Sequence, residues 1–90
     1  MTFEEQSRKW IEQVQARRRR PVRLRTARSW RSHLNWIVPR IGSLELGAVN
    51  NKTVKGLVEQ MAAAGLSPKT VANHLWVVKA VVASAVGEDG

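Results

Sequence analysis

Arginine side chains supply the most distinctive chemistry in this sequence. Nine of its ten arginines lie between residues 17 and 40, and that segment contains no acidic residue. The guanidinium group is planar and presents several N–H donors, which suits paired hydrogen bonds to phosphate oxygens and to guanine. In a chain of formal net charge +8, this clustering predicts a polyanionic partner, with nucleic acid first. A solvated basic loop and a surface for anionic membranes are the alternatives.

Residues suited to catalysis or metal binding are few. Ser29 and His33 lie one helical turn apart, but a hydrolytic triad also needs a placed carboxylate, and the only aspartate is Asp89 in the polar C-terminal tail. His33 and His74 are too few ligands for a closed metal site, and the sequence has no cysteine. No glycine-rich phosphate loop is present. We therefore expect no enzyme activity, metal or cofactor in this chain.

Four helices are predicted from apolar periodicity and capping residues. Thr2 and Glu5 have the spacing of a capping box at the start of the first helix. Gly65 is placed to end the third helix, and Ser67 with Pro68 to begin the fourth. Without any strand signal, these elements predict an all-α fold, a compact four-helix bundle in one domain over residues 1–90. The predicted helices cover residues 2–16, 26–38, 50–64 and 67–86.

The segments on either side of the second helix are predicted to be linkers. The RRRRP run repels itself and ends in a proline, which predicts a loop or extended arm over residues 17–24. Arg18 and Arg19 of this arm are expected to contact phosphates without a fixed geometry. Pro39 is expected to end the second helix, and the connector after it to tuck its leucines under the bundle.

Two helical faces combine cations with hydrogen-bonding groups. The second helix places guanidinium, hydroxyl and amide groups opposite Trp30, and the fourth places Lys69 and Asn73 opposite Val71. Such mixtures contact phosphates and base edges, although a plain solvent face is the alternative on the second helix. Free backbone N–H groups beside Lys69 and Thr70 add a predicted phosphate site. The predicted DNA-binding residues are Arg18, Arg19, Arg25, Arg28, Ser29, Ser32, Lys69, Thr70 and Asn73.

The four tryptophans fall into two groups. Trp10 and Trp30 lie on the apolar faces of their helices and are expected in the core. Trp36 and Trp76 lie on polar faces, where an exposed indole is costly unless something covers it. We expect the first helix or the 39–49 connector to cover Trp36. For Trp76, packing within the bundle and contact with a partner stay open.

The order of several motifs resembles one protein family. The sequence begins with T-F-E-E…W, continues with T-x-x-S-W…L…I-V-P-x-I-G-x-L-x-L, and then has G-L-S-P-K-T-V…L…V-K-A-V…A-V. From Thr2 to Gly87 it resembles the N-terminal core-binding domain of phage-type tyrosine recombinases, or integrases. The resemblance implies a SAM-like four-helix fold that clamps one side of a crossover-site duplex. It also implies that the second and fourth helices approach the major groove, through Arg25, Arg28, Ser29, Ser32, Lys69, Thr70 and Asn73.

The sequence departs from a complete recombinase in one respect. Strand exchange in that family needs a catalytic tyrosine, and this sequence contains none. The chain therefore resembles a DNA-binding domain that ends at an interdomain linker near residues 88–90, with the catalytic domain of the parent chain absent. The resemblance implies double-stranded DNA as partner, a monomeric isolated domain and a parent that oligomerises on DNA.

Two other classes of function stay open. The same basic surface would serve a free-standing helical regulator or RNA-binding module. A protein-interaction bundle would instead use Trp36 and Trp76 as its contact patch. The absence of cysteine, of a signal-peptide pattern and of a membrane-length apolar stretch favours a cytoplasmic location without a membrane partner.

Overall fold

The structure is a computed structural model that describes residues 1–16 and 23–87. Within these ranges no strand occurs, and one isolated antiparallel bridge joins Thr2 to Glu45. The predicted all-α four-helix bundle is confirmed. The described helices are α1 (Phe3–Gln15), α2 (Leu24–Ile41), a short 3-10 helix (Leu46–Ala48), α3 (Asn51–Ala63) and α4 (Pro68–Gly87).

Several helix ends follow the predicted capping signals. The Thr2 hydroxyl accepts the Glu5 N–H at 3.2 Å, and the Glu5 carboxylate accepts the Thr2 N–H at 3.1 Å, which completes the capping box. The backbone and hydroxyl hydrogen bonds from Thr2 hold the pKa of Glu5 below its usual value. Asn50 caps α3 by accepting the Thr53 N–H at 3.1 Å. Gly65 follows α3 with φ of 76°, a left-handed conformation that favours glycine.

The prediction that Pro39 ends α2 is wrong, because the helix continues to Ile41. Proline removes the hydrogen bond that its N–H would donate to the Asn35 carbonyl and crowds that carbonyl with its ring, which costs about 3 kcal/mol inside a helix. Continuation buries Ile41 in the core, where it is 5% exposed. Gly42 then ends the helix with its N–H on the Val38 carbonyl at 2.7 Å, and a Cβ at Gly42 would lie 2.5 Å from that same oxygen.

The core lies where α1, α2 and α4 pack together, with α3 joined to it through α4. Trp10 is buried as predicted, whereas Trp30 is partly buried and packs against the core from its edge. The largest fully buried apolar side chains are Phe3, Val14, Ile37, Leu57, Met61, Val77, Val78 and Val81.

The buried face of α4 differs from the predicted stripe. The helical period predicts a buried stripe of Val71, Leu75, Val78, Val82 and Ala85, of which only Val78 is fully buried. The other most buried positions are His74, Val77 and Val81. α4 contacts each of the other three helices, so its buried face is wider than a single stripe and includes the histidine.

The connector between α2 and α3 is bound to the start of α1. The Phe3 N–H donates to the Leu44 carbonyl at 2.9 Å, and the Leu46 N–H donates to the Met1 carbonyl at 3.0 Å. Leu46 is partly buried, but Leu44 is 37% exposed. The prediction that the connector tucks its leucines under the bundle is therefore wrong for Leu44, because these backbone hydrogen bonds decide its path.

Candidate nucleic-acid interface

The cations of α2 and α4 are all exposed. These two helices carry six arginine and lysine residues and no acidic residue. Within residues 1–16 and 23–87, no carboxylate forms an ion pair with them. Uncompensated charge on two neighbouring helices makes this side of the bundle positive, and we call it the α2–α4 face. Its cations are Arg25, Arg28, Arg40, Lys69 and Lys79, whereas Arg31 lies on the α1 side of α2 and lines a pocket with Glu4 and Glu12 of α1.

The predicted residues of α2 lie on its solvent side. Those that are exposed are Arg25, Arg28, Ser29 and Ser32. Arg31, at the border of this row, donates a hydrogen bond to the Gln15 side-chain oxygen at 3.0 Å and so links α2 to the end of α1. The row therefore presents guanidinium and hydroxyl groups outward, the types that contact phosphates and base edges.

The start of α4 corrects the expectation of free backbone N–H groups. The Ser67 hydroxyl accepts the Thr70 N–H at 3.3 Å and donates to the Thr70 hydroxyl at 3.0 Å. The Val71 N–H donates to the Ser67 carbonyl at 2.9 Å, and Pro68 has no N–H. Thr70 is partly buried, and its N–H and hydroxyl are already bonded to Ser67. An anion here would therefore depend on Lys69, whose side chain is exposed.

A pair of histidines joins α2 to α4. The Nδ1 atoms of His33 and His74 lie 2.8 Å apart, which is hydrogen-bond distance. Ser32 and Asn73 each precede one of these histidines in the sequence, and both are exposed. The histidine contact therefore holds α2 and α4 side by side, while Ser32 and Asn73 point away from the histidines towards solvent.

The surroundings of the histidine pair favour neutral rings. His74 is 5% exposed and His33 is partly buried. One Nδ1 must donate and the other must accept, so the hydrogen bond requires at least one neutral ring. Loss of solvent lowers the pKa of both imidazoles, and the positive charges of His33 and Arg40 lower the pKa of His74 further. The sequence reasoning missed this contact between residues 41 positions apart.

Trp36 is covered by groups of α2 and α4. Its ring stacks on His74 with centroids 5.3 Å apart, and the Arg40 guanidinium lies 3.6 Å from the ring centroid. Arg40 also donates to the Trp36 carbonyl at 2.7 Å. The expected cover by the first helix is wrong, whereas the 39–49 segment does cover Trp36 through Arg40, which belongs to α2 because the helix continues to Ile41.

Trp76 stays 52% exposed although it packs against two other indoles. Its ring centroid lies 5.3 Å from that of Trp30 and 6.3 Å from that of Trp10. Trp10 and Trp30 stack on each other at 4.7 Å. The three rings lead from the core to the surface, since Trp10 is 5% exposed and Trp30 is partly buried. Trp76 therefore both packs within the bundle and presents an open surface.

Some sequence predictions fall elsewhere. Arg18 and Arg19 lie outside the described residues. In the part of the chain that the structure describes, no three histidine or acidic side chains are grouped to hold a metal ion. None of the described helices combines the length and the apolar character needed to cross a membrane.

No protein-family model, curated protein or solved structure matches this chain. The candidate interface is therefore defined by the exposure, charge and packing of its own residues on α2 and α4.

Proposed function

We propose that this chain binds double-stranded DNA through the α2–α4 face, as the core-binding domain of a phage-type tyrosine recombinase. The observation that carries the proposal is the set of five exposed cations of this face, on two helices in contact that contain no acidic residue. This charge distribution supports a polyanionic partner. The recombinase assignment, and with it the SAM-like form of the bundle, comes from the order of motifs between Thr2 and Gly87.

Phosphate contacts supply most of the affinity in this proposal. Arg25 and Arg28 point to solvent from α2, and Lys69 does so at the start of α4. Guanidinium and ammonium groups displace the counterions that surround duplex DNA, so binding of this kind weakens steeply with salt. These contacts position the protein but read no sequence.

Base reading is assigned to the neutral polar groups beside the helix-helix contact. A helix fits the major groove, where an asparagine amide can pair with the edge of adenine and serine hydroxyls can contact several bases. Asn73 of α4 and Ser29 and Ser32 of α2 are the exposed candidates. The His33–His74 hydrogen bond fixes the two helices relative to each other, so these groups reach the duplex as a single arrangement.

The reaction of the parent protein is assigned to a separate domain. The chain contains no tyrosine, which is the nucleophile of the family that it resembles. Its role in the proposal is to hold one side of the crossover-site duplex in the cytoplasm while the catalytic domain of the same parent chain holds the other side. Oligomerisation on DNA belongs to that parent.

A salt titration of binding tests the proposal. If the chain neutralises about five phosphates, the logarithm of its affinity for a duplex falls with the logarithm of salt with a slope near −4 to −5, at roughly −0.9 per phosphate. Competition with single-stranded RNA separates the classes of partner. Tighter binding to the RNA would support an RNA-binding module, and a slope near zero contradicts nucleic-acid binding by this face.

A further inference from the structure

The proposed binding to a fully paired duplex assigns no contact to the exposed indole of Trp76. We infer that Trp76 is a stacking platform for an unpaired base, so that the α2–α4 face binds DNA in which one nucleotide has left the duplex stack. This inference rests on the proposed DNA binding and adds a class of ligand to it.

The indole is held in place before any ligand arrives. Trp76 lies within the long helix α4, and its ring contacts the rings of Trp30 and Trp10. The innermost of these, Trp10, is only 5% exposed, so the contacts tie Trp76 to the core. A side chain that is already immobilised loses little conformational entropy on binding, which favours its use as a contact surface.

The charge around Trp76 selects the chemistry of its partner. Asn73 and Lys79 lie one helical turn before and after it on α4, and both are exposed. Neither α2 nor α4 contains an acidic residue. A flat apolar ring on a cationic surface matches a polyanion that carries flat aromatic groups, and nucleic acid is the biological polymer of that description.

The base faces of a regular duplex are not accessible to such a ring. In paired DNA each base is stacked between its neighbours, and only its edges face the grooves. Stacking on an indole therefore requires a base at a gap, at a strand end or rotated out of the helix. The favoured ligand is duplex DNA that contains an unpaired base, since the duplex also provides phosphates for the neighbouring cations.

Trp36 provides a matched control on the same face. The ring of Trp36 stacks on His74, and the Arg40 guanidinium lies over it at 3.6 Å. A base would have to displace one of these groups before it could stack there. Trp36 and Trp76 thus differ in access to their rings, although both belong to the same pair of packed helices.

The test compares the affinity of the 90-residue chain for three labelled DNAs of the same sequence. The first is fully paired, the second has a one-nucleotide gap that leaves a base unpaired, and the third has an abasic site opposite the same gap. We expect the gapped DNA to bind about fivefold tighter or more than the paired DNA, the low end of base-aromatic stacking. The abasic DNA is expected to bind like the paired DNA.

Variants then assign the preference to one ring. Trp76→Ala is expected to remove the preference for gapped DNA, and Trp76→Phe to keep part of it. Trp36→Phe is expected to retain it in full. Helical circular dichroism and the melting temperature of each variant establish that it is folded.

Several results overturn the inference. The first is equal affinity for paired and gapped DNA. The second is a preference for gapped DNA that survives either the abasic site or Trp76→Ala. The third is self-association, measured by sedimentation, that Trp76→Ala abolishes without changing the preference for gapped DNA. Salt-dependent binding to paired DNA without any gap preference contradicts this inference alone. Failure to bind any of the three DNAs contradicts the proposed function as well.

Discussion

The four helices form two pairs with different surface charge. α1 and α3, the neutral pair, together carry four cations and four acidic residues, whereas α2 and α4, the basic pair, carry six cations and no acidic residue. Both pairs contribute fully buried side chains, so core formation does not distinguish them. Like charges on one surface repel each other and oppose folding. The bundle does not need this charge distribution for its own packing, and the difference points to an anionic partner of the basic pair.

The junction between the two pairs is where the largest effect on stability is expected. Trp30 of α2 contacts Trp10 of α1 and Trp76 of α4. Because Trp30 is partly buried, we expect Trp30→Ala to lower the free energy of unfolding by about 3 kcal/mol, the low end for such changes. Leu24→Ala on the same helix removes a side chain that is 57% exposed, so it should change stability by less than about 0.5 kcal/mol. Denaturant unfolding of both variants checks this, and equal losses would show that Trp30 does not join the pairs.

Sequence reading is expected only from the basic pair. Asn73→Ala should remove about 1–3 kcal/mol of discrimination between a selected duplex and its scrambled counterpart, while the salt slope is kept. Asn51 of α3 is also exposed, and Asn51→Ala serves as the matched control without effect on discrimination. Paired isotherms at two salt concentrations provide the measurement. If Asn73→Ala weakens binding to both duplexes equally, α4 holds only the DNA backbone.

The two pairs are expected to lose stability in different pH ranges. The pKa of His33 and that of His74 are lowered from an ordinary 6.5, so the unfolded chain takes up protons first as the pH falls. The stability that the histidine pair contributes is complete above about pH 6.5. It is lost as the pH falls towards the lower pKa values that the two histidines have in the folded chain. In α1 the pKa of Glu5 is lowered from 4.5, because its ionised carboxylate completes the capping box. The stability that this carboxylate contributes is therefore lost only as the pH falls below about 4.5.

Unfolding experiments between neutral pH and about pH 3 separate these contributions. The double variant His33→Gln/His74→Leu should abolish the decline that begins near pH 6.5. Thr2→Ala should reduce only the decline at lower pH and should cost about 1 kcal/mol at neutral pH through loss of the cap. Stability that stays constant from pH 7 to pH 5 in the unmodified chain contradicts the assignment to the histidines.

The smallest expected effects concern the start of α4. Lys69→Ala should reduce the salt slope by roughly 0.9, the value for one phosphate contact. Thr70→Ala should leave duplex affinity unchanged, because the Thr70 N–H and hydroxyl are bonded to Ser67. A loss of affinity as large as that of Lys69→Ala would mean that the helix terminus binds an anion after all.

Local signals in the sequence predicted the helices and several of their ends. Thr2 with Glu5, and Ser67 with Pro68, are capping patterns whose partners lie within one turn, so neighbouring residues suffice to identify them. The continuation of α2 through Pro39 depends instead on the burial of Ile41 in the tertiary core. Periodicity along a single helix cannot supply that information.

The candidate face was predicted in outline but not in its packing. The exposure of Arg28 and Asn73 follows from the helical period, whereas the contact between His33 and His74 depends on how two distant helices meet. The cover of Trp36 was within reach, because an arginine four residues later is placed to lie over its ring. Arg18 and Arg19 stay predictions, since they lie outside the described residues.

The comparison of two triple variants tests the assignment of DNA binding to the basic pair most directly. Both remove the same charge, one from the basic pair by alanine at Arg25, Arg28 and Lys79, the other from the neutral pair by alanine at Arg8, Lys52 and Lys55. The measurement is the salt dependence of duplex affinity for each variant and for the unmodified chain. We predict that the first variant lowers the salt slope by up to about three and that the second leaves it unchanged. Equal reductions in both variants would show that net charge alone attracts the DNA and would contradict a binding face on α2 and α4.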